Sequence, residues 1–236
     1  MSEIANSKKV ELYEALKEAI LTLTLRPGED IDEVQLSEDF GMSRTPLREV
    51  LQQLSGEGFL TIRRNRGARV SDMTHTSMRE FFLAAPMVYG AIMQLAALNA
   101  QPEQVVALKE TQTGFRKALK SGIAKDRAML NNRFHEITGQ MAHNAYLLPS
   151  FKRLLIDHAR IGMTFYNPNN RTMGDSLSVA ADQHDAIIES IQAGDEAATA
   201  QLATDHWALC RGQIEHFVMP AGLDIPLGKL GHPSST

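Results

Sequence analysis

The chain of 236 residues holds a single cysteine, Cys210, so it cannot form an intrachain disulfide, which fits a reducing compartment such as the cytoplasm. It also lacks an excess of positive charge. Twenty-four Lys and Arg stand against 28 Asp and Glu, a formal net charge of −4, so any polyanion partner must meet a local patch. The opening residues, MSEIANSKKVELYEALKEAI, lack the apolar core of a secretory signal. No apolar run is expected to reach the roughly 18 residues of a membrane span, so no membrane partner is expected. P-loops, nucleophile elbows and internal repeats are absent from the pattern. What is present is apolar material for a core, 43% of residues, arranged mostly at helical spacing.

Lys9 to Leu25 reads as a first helix, with Val10, Leu12, Leu16, Ile20, Leu21 and Leu23 as its apolar stripe, stopped by Arg26-Pro27-Gly28. Val34, Leu36 and Phe40 suggest a short second helix inside the acidic stretch EDIDEVQLSEDF. The segment SRTPLREVLQQLSGEGFL then spaces Leu47, Val50, Leu51 and Leu54 along one helix face. Ser43 and Thr45 are both candidate N-caps, and Pro46 is tolerated in the first turn. Beyond Gly58 the alternation in FLTIRRNRGARV predicts two short strands with a hairpin tip at Asn65–Gly67.

From about residue 76 the pattern predicts helices only, near 77–99, 102–121, 124–143, 146–165, 177–193 and 195–217, with a loop over Pro168–Gly174. The expected fold is mainly α. A winged helix-turn-helix (1–75) precedes an all-helical antiparallel bundle (76–218), and a Pro-, Gly- and Ser-rich tail (219–236) follows.

The arginines concentrate in the first unit. Between Ser43 and Val70 there are six (Arg44, Arg48, Arg63, Arg64, Arg66 and Arg69) against Glu49 and Glu57, a local balance of +4. The preceding Glu29–Asp39 stretch carries six acids, so charge is segregated along the chain. With the leucine face inward, Arg44, Thr45 and Arg48 point outward on a helix suited to the major groove. The planar guanidinium fork matches guanine O6/N7 and phosphate oxygens. A basic hairpin tip at Gly67 would allow close backbone approach to a minor groove.

These motifs (RPG, SRTPLRE, GEGFL and RGARV, across residues 8–71) resemble the winged-helix domain of GntR-type transcriptional regulators. The resemblance implies operator contacts from Arg44, Thr45 and Arg48, a wing tip at Arg66 and Gly67, and a homodimer on a near-palindromic duplex site.

Three of the eight histidines, His135, His184 and His206, fall inside three different predicted helices, and imidazoles from separate helices of a bundle can share one ion. Spacing alone leaves convergence open. The segments NNRFHEITGQMAHNAYL and QHDAIIESIQAGDEAATAQLATDHW resemble the FCD effector domain of the FadR subfamily. That likeness implies a divalent metal such as zinc or nickel on His135, His184 and His206, with a small effector, an organic acid, bound beside it. The position where the family often has a metal-binding Asp is Asn131, a weaker, neutral ligand. Ala85 and Tyr89 stand where the family often has Arg and Glu, so Arg160 is the candidate cation for an acid effector.

The expected activity is effector-gated DNA binding rather than catalysis. The competing reading is a metal-dependent hydrolase using the same histidines. His135-Glu136 begins like H-E-x-x-H, but the second histidine position is Gly139.

Overall fold

Leu47, Val50, Leu51 and Leu54 are all buried, as their spacing predicts, and they pull their helix onto the N-terminal one. Each contributes about 2 kcal/mol by leaving water. The protein was analysed as a computed structural model that describes residues 2–165 and 171–218, with side chains described for 6–163 and 176–209. The expected tail, 219–236, and the start of the expected 168–174 loop lie outside the described residues.

The first unit runs α1 (Ser2–Leu21), α2 (Glu33–Asp39), α3 (Arg44–Glu57), β1 (Leu60–Arg63) and β2 (Gly67–Val70). α1 keeps Leu12, Leu16, Ile20 and Leu21 inside, while Val10 is exposed; the helix stops at Leu21, before Leu23 turns left-handed. Asp32 caps α2 through Val34 N and Gln35 N, both at 3.0 Å. Ser43 occupies the N-cap position of α3 without a side-chain cap bond, and Thr45 lies within the helix. β1 and β2 pair antiparallel, Leu60 with Val70 and Arg63 with Gly67. The hairpin tip needs two left-handed residues, supplied by Asn65 (φ 59) and Gly67 (φ 71).

The helical unit comprises α4 (His75–Asn99), α5 (Pro102–Ser121), α6 (Ala124–Met141), α7 (Leu147–Phe165), α8 (Arg171–Ala193) and α9 (Glu196–Val218). α8 begins six residues before the expected start. α4 lies at the centre, packed on α6, α7, α8 and α9. It also corrects the expectation about membrane spans, being long and apolar enough to cross a bilayer. Here its apolarity serves packing instead: Phe81, Ala85, Tyr89, Ile92, Met93 and Ala96 are buried in the bundle.

The two units share a core. Ile156 and Ala159 of α7 belong to the same apolar cluster as Leu12, Leu47 and Val70. Beside them Arg160, fully buried, donates to the backbone oxygen of Ser71 at 2.7 Å and pairs with Asp157. Arg153 holds the other Asp157 oxygen at 3.0 Å. A second tie joins Lys17 of α1 to Glu136 of α6 at 3.0 Å. Both ties start on helices that also carry histidines.

Candidate functional site: a basic cleft and a buried histidine centre

α3 and the hairpin enclose an open cleft of about 780 Å³, lined by Arg44, Arg48, Gln52, Arg64, Arg66 and Gly67 among others. Arg44, Thr45, Arg48 and Arg66 are exposed, since the opposite side of α3 is committed to the core. Arg44, Arg64 and Arg66 make no ion pair among the described residues, so their donors are free. The acidic stretch is not segregated in space. Asp30 pairs with Arg63 and lies 3.8 Å from Arg69, and Glu33 lies 3.5 Å from Arg48. These carboxylates position the arginines and leave the tip free. Gly67 has a steric reason beyond its φ: a Cβ there would come within 2.9 Å of a Glu33 carboxylate oxygen.

The second site lies inside the bundle. α6, α8 and α9 bring His135, His184 and His206 together, with one ligand nitrogen from each within 4.8 Å of the others. His135 and His184 are fully buried and His206 is 5% exposed. Their tautomers can be read from their neighbours. Gln112 donates from Nε2 to the Ala181 carbonyl at 2.8 Å, which turns its Oε1 toward His184 Nδ1 at 3.2 Å. An amide oxygen only accepts, so His184 Nδ1 carries the proton and Nε2 keeps its lone pair. Gln183 Oε1 lies 2.9 Å from His206 Nδ1, a pairing that suits a proton on Nδ1.

That leaves His184 Nε2, His206 Nε2 and both nitrogens of His135 buried without a partner among the described residues. Buried polar atoms are almost always satisfied, and each orphan costs about 1–3 kcal/mol. Orphaned ring nitrogens that converge from three helices, two of them on rings whose Nδ1 meets a glutamine oxygen, are the donor set a divalent cation needs. Burial, the largest cause in each case, lowers all these histidines' affinity for protons. It pushes His206 to about 4 and His135 and His184 well below 6.5, so they stand as neutral ligands.

Asn131 is buried one turn before His135 on α6. A fourth histidine, which motif reading passed over, completes the surroundings. His158 of α7 shares a hydrogen bond of 2.6 Å between its Nδ1 and the Tyr89 hydroxyl, with its ring centroid 4.9 Å from that of His135, and burial pushes it down to about 3. Its position on the apolar stripe of α7, three after Leu155 and seven after Phe151, is the signal that could have found it. Tyr89, Met93, His158, Ile187, Ala203 and Trp207 wall a closed chamber of about 10 Å³ against His135 and His206. The Trp207 indole N–H is buried and has no partner among the described residues.

Arg160 is not brought to this chamber. Its guanidinium is held by Asp157 and Ser71 on the side of the first unit, so the expected effector contact is corrected to a bond between units. Arg133 is half exposed, 3.6 Å from Glu136. Asp182 and Asp185 point to Arg116, as their helix positions suggest.

Comparison with known proteins gives consistent matches. Residues 8–70 match the family described as bacterial regulatory proteins, gntR family, and residues 87–209 match the FCD domain. An uncharacterized HTH-type transcriptional regulator, YdhC of Bacillus subtilis, is 26% identical over 199 residues, covering 84% of this chain and 87% of that protein. The HTH-type transcriptional repressor RspR of Escherichia coli is 24% identical over 198 residues, covering 83% and 84%. Among solved structures, E. coli McbR/YncC superposes with a TM-score of 0.73 at 18% identity, covering 88% of this chain and 98% of that one, a likeness of fold.

Proposed function

Because the chain belongs to the gntR family of bacterial regulatory proteins and carries an FCD domain, we propose that it is a homodimeric, cytoplasmic regulator whose operator affinity is set by a metal and a small acid in the histidine chamber. The DNA-binding unit is taken as 1–75 and the effector unit as 76–218. Arg44, Thr45 and Arg48 enter the major groove, and Arg66 and Gly67 reach the adjacent backbone or minor groove. His135, His184 and His206 hold a divalent ion such as zinc or nickel, with Asn131 as a weak neighbour. The observation that carries the input half is the set of buried, unpartnered ring nitrogens that three helices bring together.

The route between the sites is short. α6 carries His135 and, on its next residue, the Glu136 that binds Lys17 of α1. α7 carries His158 beside the chamber and Asp157 and Arg160 at the segment after β2. A ligand that favours one seating of α6 and α7 thereby favours one placement of the winged helix, to the extent of its differential affinity for the two.

The hydrolase reading has less support. Glu136, the would-be base, is turned to Lys17 and Asn132. At Gly139, where a second metal histidine would stand, a Cβ would lie 2.7 Å from the Phe151 ring. The curated relatives reported above are named as regulators.

Metal analysis of protein purified without chelators is expected to find about one divalent ion per chain, the stoichiometry of a three-histidine centre. In a His135→Ala/His184→Ala variant the ion is expected to be lost. Unchanged metal content in that variant would sink the assignment.

The dimer has a candidate face. Leu83, Met87 and Leu98 lie along one side of α4 and are 64%, 70% and 60% exposed on an otherwise apolar helix. Leu83→Glu/Met87→Glu is expected to shift the protein from dimer to monomer in sedimentation velocity and to weaken binding to paired half-sites at least ~100-fold through reduced avidity. A dimer that survives both charges would place the interface elsewhere.

A further inference from the structure

A second cleft, of about 840 Å³, lies between the winged helix and the bundle. Pockets that take small organic ligands span about 300–1,000 Å³. Tyr13 and Lys17 of α1 stand on one side, and Arg133, Glu136, Lys152 and Arg153 of α6 and α7 on the other. Between them the lining is apolar, from the buried Leu21, Phe59, Leu155 and Ile156. The cleft shares no lining residue with the histidine chamber.

Its charges do not balance. Lys17 at 3.0 Å and Arg133 at 3.6 Å share the one carboxylate of Glu136. Arg153 and, behind the lining, Arg160 share that of Asp157. Lys152 is exposed and makes no ion pair among the described residues. Glu57, the other acid of the lining, accepts from the Tyr13 hydroxyl at 2.5 Å and from Gln53 at 3.1 Å, not from a cation. Five cations thus stand around the cleft with three carboxylates, an excess of two positive charges in a chain of net charge −4. Positive charge gathered over an apolar floor matches a ligand with an anionic head and an apolar body.

We propose that this cleft binds an organic anion of aromatic-carboxylate type, its head among Lys17, Arg133 and Lys152 and its body on Phe59, Leu155 and Ile156. An inorganic anion would leave the floor unused, and a neutral ring would leave the charge unmet. The site also touches the output helix. Gly58 caps α3 in the left-handed conformation (φ 94), and a side chain there would collide with Arg153. A ligand resting against Arg153 therefore favours one placement of the end of α3, to the extent of its differential affinity for the alternatives.

The test uses the full chain stripped of metal, so that the result bears on the cleft alone. The probes are 2-naphthoate, its uncharged relative 2-naphthamide and inorganic phosphate, followed by titration calorimetry. Naphthoate is expected to bind at one site per chain, at least ~10-fold more tightly than the amide or phosphate, the scale of a hydrogen bond to a charged group. Arg133→Ala/Lys152→Ala removes two exposed side chains and so spares the core. It is expected to weaken naphthoate about 10-fold or more and to change the amide less than about 2-fold.

A parent protein that binds no naphthoate, or binds the amide or phosphate as tightly, overturns the proposal. So does an Arg133→Ala/Lys152→Ala protein that binds naphthoate like the parent. Equal loss of naphthoate in Arg44→Ala/Arg48→Ala would place the probe in the DNA cleft and overturn it too.

Discussion

Replacing Arg44 and Arg48 together by alanine is expected to lower affinity for operator fragments by at least ~100-fold, because each arginine bonded to a base edge or phosphate is worth about 1–3 kcal/mol. The two side chains stand one turn apart on the exposed face of α3, so one insertion of the helix engages both. Folding should be nearly untouched. Alanine is the better helix former, and the ion pair removed, Arg48 with Glu33 at 3.5 Å, involves an Arg48 side chain that is 65% exposed and contributes little. The salt dependence should weaken as well, by about one unit of slope for each phosphate no longer neutralised by an arginine. Anisotropy titrations at several salt concentrations, with circular dichroism as the folding control, would check both. A folded double variant that binds every fragment like the parent would remove α3 from the interface.

Acid should unfold the metal-free protein early and steeply. Four buried histidines are pushed down from 6.5: His158 to about 3, His206 to about 4, and His135 and His184 well below 6.5, each chiefly by burial. The native state therefore holds these rings neutral, while the unfolded chain protonates them as pH falls through 6.5. The unfolded state binds more protons, so stability declines as pH drops below 6.5 and keeps declining until each folded-state value is reached. Each ring contributes about 1.4 kcal/mol per pH unit in that window, and four together about 5 kcal/mol per unit. Total stabilities run about 5–15 kcal/mol, so the acid midpoint should fall between about pH 3.5 and pH 5.5, with uptake of several protons. Bound metal should shift that midpoint downward until protons displace it from the nitrogens. Denaturant melts at stepped pH would check the slope. A midpoint near pH 3 with uptake of less than one proton would show that these rings are not held neutral in the folded state.

The winged helix was the most legible part because its signals are local. The spacing of Leu47, Val50, Leu51 and Leu54 alone decides which face of α3 turns out, and the positive φ of Asn65 and Gly67 is carried by the residues that adopt it most easily. In the bundle, helix positions were legible, but convergence was not. His135, His184 and His206 lie far apart in the chain, and only the crossing of α6, α8 and α9 brings them together.

His158 and Arg160 sit two residues apart on α7, and sequence reading passed over the first and offered the second as an effector contact. An arginine near a candidate acid site was assigned to the ligand, while a histidine outside the motif was passed over. Burial decides otherwise: Ile156, Ala159 and Arg160 face the winged helix, and His158 faces α4 and the chamber. The apolarity of α4 was misjudged for a related reason. One side packs inside the bundle, and the other carries Leu83, Met87 and Leu98 at the surface, so apolar residues stand on both sides of the helix.

Control of the basic cleft's affinity for DNA by the contents of the histidine chamber is the central claim, and one measurement tests it most directly. That measurement is fluorescence anisotropy of an operator fragment, selected from genomic DNA, with protein stripped of metal and with the same protein given cobalt(II) and acetate. The expected result is a change in affinity of at least ~5-fold, of either sign, that vanishes in the folded His135→Ala/His184→Ala variant. Identical affinities in the two conditions, with cobalt bound, would contradict it.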